Sequence, residues 1–338
     1  MTKKNMRLDR EPFRLRPVGK DYLWGGNRLN DDFAKGIDMD PLAETWECST
    51  HQDGLSIVDS GEFRGMTLKG VLTVHPDFLG SHPGLNGFDE GQLPVLIKFI
   101  DAKQDLSVQV HPTDEYARIN ENGQHGKTEL WYILDADQGS RIAYGLLRDV
   151  SREKLKKSIE DQTIEKLLQY VPVQKNDVFY VEAGTVHAIG KGVLLAEIQE
   201  NSNLTYRLYD YNRIDKNGNK RELHINKAVD VANAKLALQP KQPLRVLRYR
   251  PGCAEELLYR CEYFQVERML INTERIRDMV RVQTDSTSFG VLLCIDGCGT
   301  MVWNGQQITI FRGDCIFIPA KSTKIKLHGM MQLLKVKC

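Results

Sequence analysis

Short apolar strands separated by turn residues run through most of the 338 residues of this chain. The stretches 95-VLIKFIDA-102, 129-ELWYIL-134, 177-DVFYVEAG-184, 193-VLLAEI-198 and 291-VLLCIDG-297 are rich in Val, Ile, Phe and Tyr. Such side chains suit the pleated surface of a sheet. Between the strands lie 122-NGQHG-126, 137-DQG-139, 217-NGN-219 and 304-NGQQ-307, whose Gly, Asn and Asp residues favour tight turns. Helical patterns are fewer. The clearest covers 151–170, where Ser151 can cap and Leu155, Ile159, Ile164, Leu167 and Leu168 recur at roughly helical spacing. Shorter ones are expected over 113–122 and 226–236. Many short strands with few helices predict an all-β-dominated fold, an antiparallel sandwich or barrel with a small helical insertion.

The best candidate boundary is 237-ALQPKQP-243, which predicts domains at 1–240 and 241–338. An internal repeat supports that division. The run 175-KNDVFYVEAGTVH-187 lines up with 312-RGDCIFIPAKSTK-324, and 130–145 resembles 291–305 if one residue is skipped. Where the first copy has Glu129 and His187, the second has Gly290 and Lys324. Groups able to hold a metal survive only in the first copy, so a functional site is expected in the N-terminal part.

Forty-six basic and forty-five acidic residues leave a net charge of +1. That balance argues against a general nucleic-acid or membrane-surface binder, while leaving room for a local cationic pocket. The first seventeen residues are charged without an apolar core, no apolar run is long enough to span a bilayer, and no dinucleotide or P-loop glycine motif occurs. Seven cysteines without a C-x-x-C pair fit a reducing cytoplasm better than a disulfide framework.

The stretch 106-LSVQVHP-112 alternates until proline stops it. Leu106, Val108 and Val110 are expected on one face, and Ser107, Gln109 and His111 on the other. With Glu129 on the next strand and His187 on a later one, Gln109 and His111 form a set of two imidazoles, a carboxylate and an amide oxygen. That set suits Zn²⁺, with Mn²⁺, Fe²⁺ or Co²⁺ as alternatives. Taken singly, either histidine reads as an ordinary polar strand residue. Together with the altered second copy, the four read as a metal site on the inner wall of a barrel.

Other charges fall on the same faces. Lys127 lies two residues before Glu129, and Glu197 shares a face with Leu195 and Gln199. Arg207 and Arg213 share parity if their segment is extended. A metal beside a lysine, two arginines and a spare carboxylate looks like a pocket for a small anionic, polyhydroxylated substrate.

These residues resemble those of the type I mannose-6-phosphate isomerase (phosphomannose isomerase) family, in its shorter bacterial form, of cupin fold. The likeness runs nearly end to end, through 21-DYLWGG-26, 44-ETWECSTH-51, 106-LSVQVHPTDEYA-117, 126-GKTELWYIL-134, 183-AGTVHAIGKG-192 and 197-EIQENSNLTYRLYDYNR-213. It implies two cupin-type jelly-roll domains and one Zn²⁺ per chain, held by Gln109, His111, Glu129 and His187. It also implies catalytic roles for Arg207, Lys127 and Glu197, and substrate contacts from Trp24 and Arg213. The second domain would then be a degenerate cupin without metal ligands. The implied reaction interconverts mannose 6-phosphate and fructose 6-phosphate through a cis-enediol, with Glu197 the first candidate base and Lys127 the acid for ring opening. Two alternatives use the same pocket: a cupin metal oxygenase or epimerase, and a non-catalytic sugar-phosphate binder.

Overall fold

A computed structural model describes residues 10–83, 90–215 and 218–338. Residues 1–9 of the charged N-terminal stretch and Asn217 of the 217–219 turn lie outside them. Contacts group the chain into two compact units. One consists of Val18–Trp46 and Val95–Pro243; the other joins Leu244–Cys338 to Glu47–Pro94 and to the segment ending at Pro17. The expected 1–240 and 241–338 division assigns those two earlier segments to the first domain.

The unit of Val18–Trp46 and Val95–Pro243 carries two antiparallel sheets. The six-stranded one has the order Val178–Val181, Glu129–Ala136, Val193–Glu200, Val95–Ala102, Glu44–Cys48, Val18–Lys20. The five-stranded one has the order Tyr206–Tyr209, Val108–Val110, His187–Ile189, Arg141–Leu146, Leu168–Pro172. Trp131, Ile133, Phe179, Ile100 and Leu195 of the first sheet pack with Ile142 and Ile189 of the second in one buried cluster. A second cluster joins the other face of the five-stranded sheet to two helices: Val108, Val110 and Ala188 meet Leu155, Ile159 and Val229.

The alternation of 106–112 is therefore divided differently from the expectation. The strand runs only from Val108 to Val110. Val108 and Val110 pack beneath the helices, whereas Leu106, ahead of the strand, joins Trp24 in the intersheet cluster. The helix expected over 151–170 also stops early. Ser151 caps Arg152–Glu160 by accepting from the Lys154 N–H. The left-handed φ of +56° at Gln162 then breaks it. Ile164–Leu167 is a 3₁₀ turn, and Leu168–Pro172 pairs as a strand with Arg141–Leu146. The apolar spacing of Leu167 and Leu168 reflected packing on the same core rather than one continuous helix. Helices Asp114–Asn120, capped by Thr113, and Ile225–Val231 match the shorter patterns.

The other unit is built on a ten-stranded sheet over its own apolar cluster, which includes Met301, Ile316, Leu327 and Leu333. The sequence repeat is visible as register. Val181 stands opposite Glu129 in one unit, and Ile318 stands opposite Gly290 in the other. These are the positions that the repeat equates, so the two hairpin pairs share one alignment.

Candidate metal centre

The five-stranded sheet aligns three of the expected residues in a row. Gln109 pairs directly with His187 on one side and with Arg207 on the other. Directly opposed residues of antiparallel strands point to the same face. In the six-stranded sheet Gln199 stands opposite Glu129, and Glu197 opposite both Trp131 and Lys98. Glu129 and Glu197 thus share a strand face with Trp131, Ile133 and Leu195 of the intersheet core. His111 follows its strand, and its carbonyl accepts from the Gly184 N–H at 2.8 Å. Gly184 takes a φ of +88° in the turn that leads to His187, a conformation that glycine adopts at little cost.

His111, Glu129 and His187 bring one donor atom each within 4.8 Å of one another, and all three are buried. Their second contacts fix which atoms face inward. His111 Nδ1 lies 2.8 Å from the Leu204 carbonyl and His187 Nδ1 2.8 Å from the Thr185 carbonyl. A carbonyl only accepts, so both Nδ1 atoms carry the proton and both Nε2 lone pairs point at the cluster. Glu129 Oε2 lies 3.5 Å from His111 Nε2, and Oε1 3.3 Å from His187 Nε2. Neither carboxylate oxygen has a hydrogen bond of good geometry among the described residues. Two inward-facing imidazole nitrogens around a buried carboxylate fit a divalent metal. Gln109 adds its amide, whose nitrogen donates to His187 Nε2 at 3.2 Å; an amide turned by half a revolution would offer its oxygen instead.

Electrostatics keep this set in ligand form. Burial, reinforced by the Lys127 ammonium, pushes His111 down to about 3; burial also lowers His187. For Glu129 burial acts upward, but Lys127 and the two histidines outweigh it and hold the carboxyl well below its ordinary value. Lys127 Nζ is 2.7 Å from Glu129 Oε2 and 3.2 Å from His111 Nε2.

A cavity of about 230 Å³ adjoins the cluster, and Trp24, Gln109, Lys127, Glu197 and Arg207 all line it. Glu197 Oε1 accepts from the Trp131 indole N–H at 3.1 Å, while Oε2 is 3.2 Å from Lys98 Nζ and 3.9 Å from Lys127 Nζ. Burial raises the Glu197 pKa above the usual carboxylate value. Trp24 stacks on Tyr22 with ring centroids 5.5 Å apart. Arg207 is anchored by Nε donating to Ser107 Oγ at 3.3 Å and Nη1 to the Glu222 carbonyl at 3.0 Å.

Arg213 does not line this cavity. The strand ends at Tyr209 and Tyr211 has a φ of +54°, so the parity shared by Arg207 and Arg213 does not extend that far. Its guanidinium instead donates to the Asp105 carbonyl at 2.6 Å and to Asp210.

Several lining residues had no place in the sequence reading. Arg221 is one; it reaches the wall from a loop and makes two hydrogen bonds to Asp210, at 2.8 and 2.5 Å. Glu44 and Lys98 are others. Lys98 was detectable as a lone charge between Leu96 and Ile100 on one face of an apolar strand. Burial opposes its charge, but Glu44 and Glu197 more than offset that, and its pKa is raised. Arg221 left no such signal, because loop residues carry no periodicity.

Residues 12–147 match the family model of the phosphomannose isomerase type I catalytic domain, and residues 255–338 that of the mannose-6-phosphate isomerase cupin domain. The chain is 38% identical to the mannose-6-phosphate isomerase ManA of Bacillus subtilis, over 96% of this chain and 98% of that one. It is 32% identical to the mannose-6-phosphate isomerase of Streptococcus mutans, over 96% and 97%. Among solved structures, a Bacillus subtilis mannose 6-phosphate isomerase superposes with a TM-score of 0.86 at 33% identity, covering 96% of this chain and 99% of that one. A zinc-bound mannose 6-phosphate isomerase shares the fold, with a TM-score of 0.73 at 18% identity over 96% and 99%. The chain belongs to the mannose-6-phosphate isomerase family, whose β-rich cupin fold and isomerase activity it shares.

Proposed function

We propose that the enzyme is zinc-dependent, with one ion per chain held by Gln109, His111, Glu129 and His187. We propose further that it interconverts mannose 6-phosphate and fructose 6-phosphate through a cis-enediol. The observation that carries this reading is the buried His111–Glu129–His187 cluster beside a cavity that presents Lys127, Glu197 and Arg207. The names of the relatives supply the sugar phosphate.

Moving a proton between C1 and C2 of the open-chain sugar needs a base, a proton source and a way to bear enediolate charge. Bound zinc would supply Lewis-acid polarisation of the sugar oxygens and so lower the cost of that charge. Glu197 is the base: its raised pKa brings it nearer to a carbon-acid task, and Trp131 fixes its orientation. Lys127 donates the proton for ring opening. Arg207 steadies the negative charge of enediolate or phosphate, and Arg221 joins it on the cavity wall. Arg213 serves substrate binding through Asp210, which it shares with Arg221. Trp24, backed by Tyr22, forms the apolar wall against the sugar ring.

The 241–338 domain is non-catalytic in this reading, since Gly290 and Lys324 stand where the first copy has Glu129 and His187. A cytoplasmic setting agrees with seven unbridged cysteines. One anaerobic coupled assay on mannose 6-phosphate, with metal analysis of the same preparation, tests the proposal. Isomerisation with about one zinc per chain is expected. Oxygen uptake without isomerisation, or ligand binding without proton exchange at C1 or C2, would overturn it.

A further inference from the structure

A second cleft, of about 350 Å³, lies in the unit that contains Leu244–Cys338. It is unusual in charge. Arg250, Arg277, Arg281 and Lys326 line it against a single carboxylate, that of Asp278. Four cations against one anion leave an excess of three, or two if Glu255, which pairs with Arg250, is included. The whole chain carries a net charge of only +1, so this local excess does not reflect a generally basic protein.

The sheet register forces part of that concentration. Strand Val280–Val282 pairs with Ile325–Lys337, and its flanking residues Val280 and Val282 are buried opposite Leu327 and Ile325. The intervening pair, Arg281 and Lys326, therefore points outward, cation directly opposite cation. Like charges in that position destabilise a sheet. Neither side chain has a hydrogen bond or ion pair among the described residues, nor does Arg277, and Asp278 engages none of them. Arg250 is held differently. Its Nη1 donates to the Arg281 carbonyl at 3.0 Å and its Nη2 to Glu255 at 2.6 Å, which fixes one guanidinium at the cleft wall.

We propose that this cleft binds a small phosphate-bearing anion with two or more negative charges. Two or three guanidinium forks and an ammonium match the oxygens of phosphoryl groups, and such an anion would relieve the repulsion between Arg281 and Lys326. A volume of about 350 Å³ suits a diphosphate or a phosphorylated small molecule rather than a polymer, as does the balanced charge of the remaining chain.

Isothermal titration of the full-length zinc-loaded enzyme with inorganic pyrophosphate tests the assignment, at low and at high salt. Orthophosphate, ADP and a short single-stranded oligonucleotide serve as comparison ligands. Saturable pyrophosphate binding is expected, weakened by salt. The Arg281→Ala/Lys326→Ala double variant should bind at least about tenfold more weakly, while its KM for mannose 6-phosphate stays unchanged. That unchanged KM separates the cleft from the catalytic cavity, which also takes phosphate. If the double variant folds poorly, Lys326→Glu alone should give the same loss. ADP binding more tightly than pyrophosphate would identify a nucleotide as the source of the phosphate, and equal binding a bare diphosphate. Pyrophosphate binding that is absent, or equal in wild type and variants, would overturn the proposal. So would an oligonucleotide that binds more tightly than either.

Discussion

Gln109 and His187 stand directly opposite each other across two three-residue strands, with their side-chain nitrogens 3.2 Å apart. The strand pairing, rather than either loop, sets that approach. At these two positions metal binding should therefore depend on side-chain chemistry and not on loop order. His111→Ala and His187→Ala each remove a strong ligand and should lower zinc affinity by about a hundredfold or more, while Gln109→Ala, which removes a neutral one, should lower it by about tenfold. Competition with a chelator, read by metal content, checks the ranking. Equal losses for all three variants would deny Gln109 its weaker role.

A variant at Lys127 should separate catalysis from metal binding. The Lys127 ammonium lies 2.7 Å from Glu129 Oε2 and competes with any cation for that carboxylate. Lys127→Ala should keep zinc, or hold it more tightly, yet lose about 10²- to 10⁴-fold in kcat, the range expected for a general acid or base. Steady-state kinetics and metal analysis on one preparation check both halves. A variant that lost zinc together with activity would make Lys127 a structural residue of the site.

Arg221 and Arg213 share Asp210 but only Arg221 lines the cavity beside the His111–Glu129–His187 cluster. Arg221→Ala should therefore raise KM for the sugar phosphate by about tenfold or more, through loss of a charged contact. Arg213→Ala, acting through Asp210, should raise KM less. Kinetic comparison of the two variants checks the order, and a larger effect at Arg213 would reverse it.

How legible the site was depended on whether a residue lay on a regular strand. Glu129 and Glu197 sit on eight-residue strands whose alternation gives the face of each side chain, whereas His187 opens a three-residue strand and was marked by its residue type and by the altered second copy. Gln109 lies on the face expected of it, opposite Val108 and Val110, but Leu106 does not, because a three-residue strand is too short for alternation to extend past its ends. The helix at 151–170 failed for a related reason: apolar spacing records which side chains meet the core, and a turn followed by a strand can produce the same spacing. Arg221, Glu222 and His224 support or extend the site from a loop. Their positions follow from tertiary hydrogen bonds, which leave no periodic trace in sequence.

Glu200 should give the protein a pH-dependent stability that a single substitution removes. Its Oε1 accepts from the Thr128 N–H at 2.6 Å, which pins the backbone between Lys127 and Glu129. The side chain is buried, and burial together with neighbouring Asp114 lifts its pKa to about 8. In the unfolded chain the carboxyl loses its proton near its ordinary value of 4.5, while the folded protein keeps it until about pH 8. Between those limits the folded state binds one more proton than the unfolded state, so stability falls as pH rises. The limiting slope is about 1.4 kcal/mol per pH unit, and it vanishes below and above the window. Glu200→Gln keeps an acceptor for Thr128 and a donor toward Asp114 but cannot ionise. It should match the wild type near pH 4.5 and melt several degrees higher near pH 8. Thermal denaturation of both proteins across that range checks the prediction, and a melting-temperature difference that is constant with pH would rule out a buried, proton-retaining Glu200.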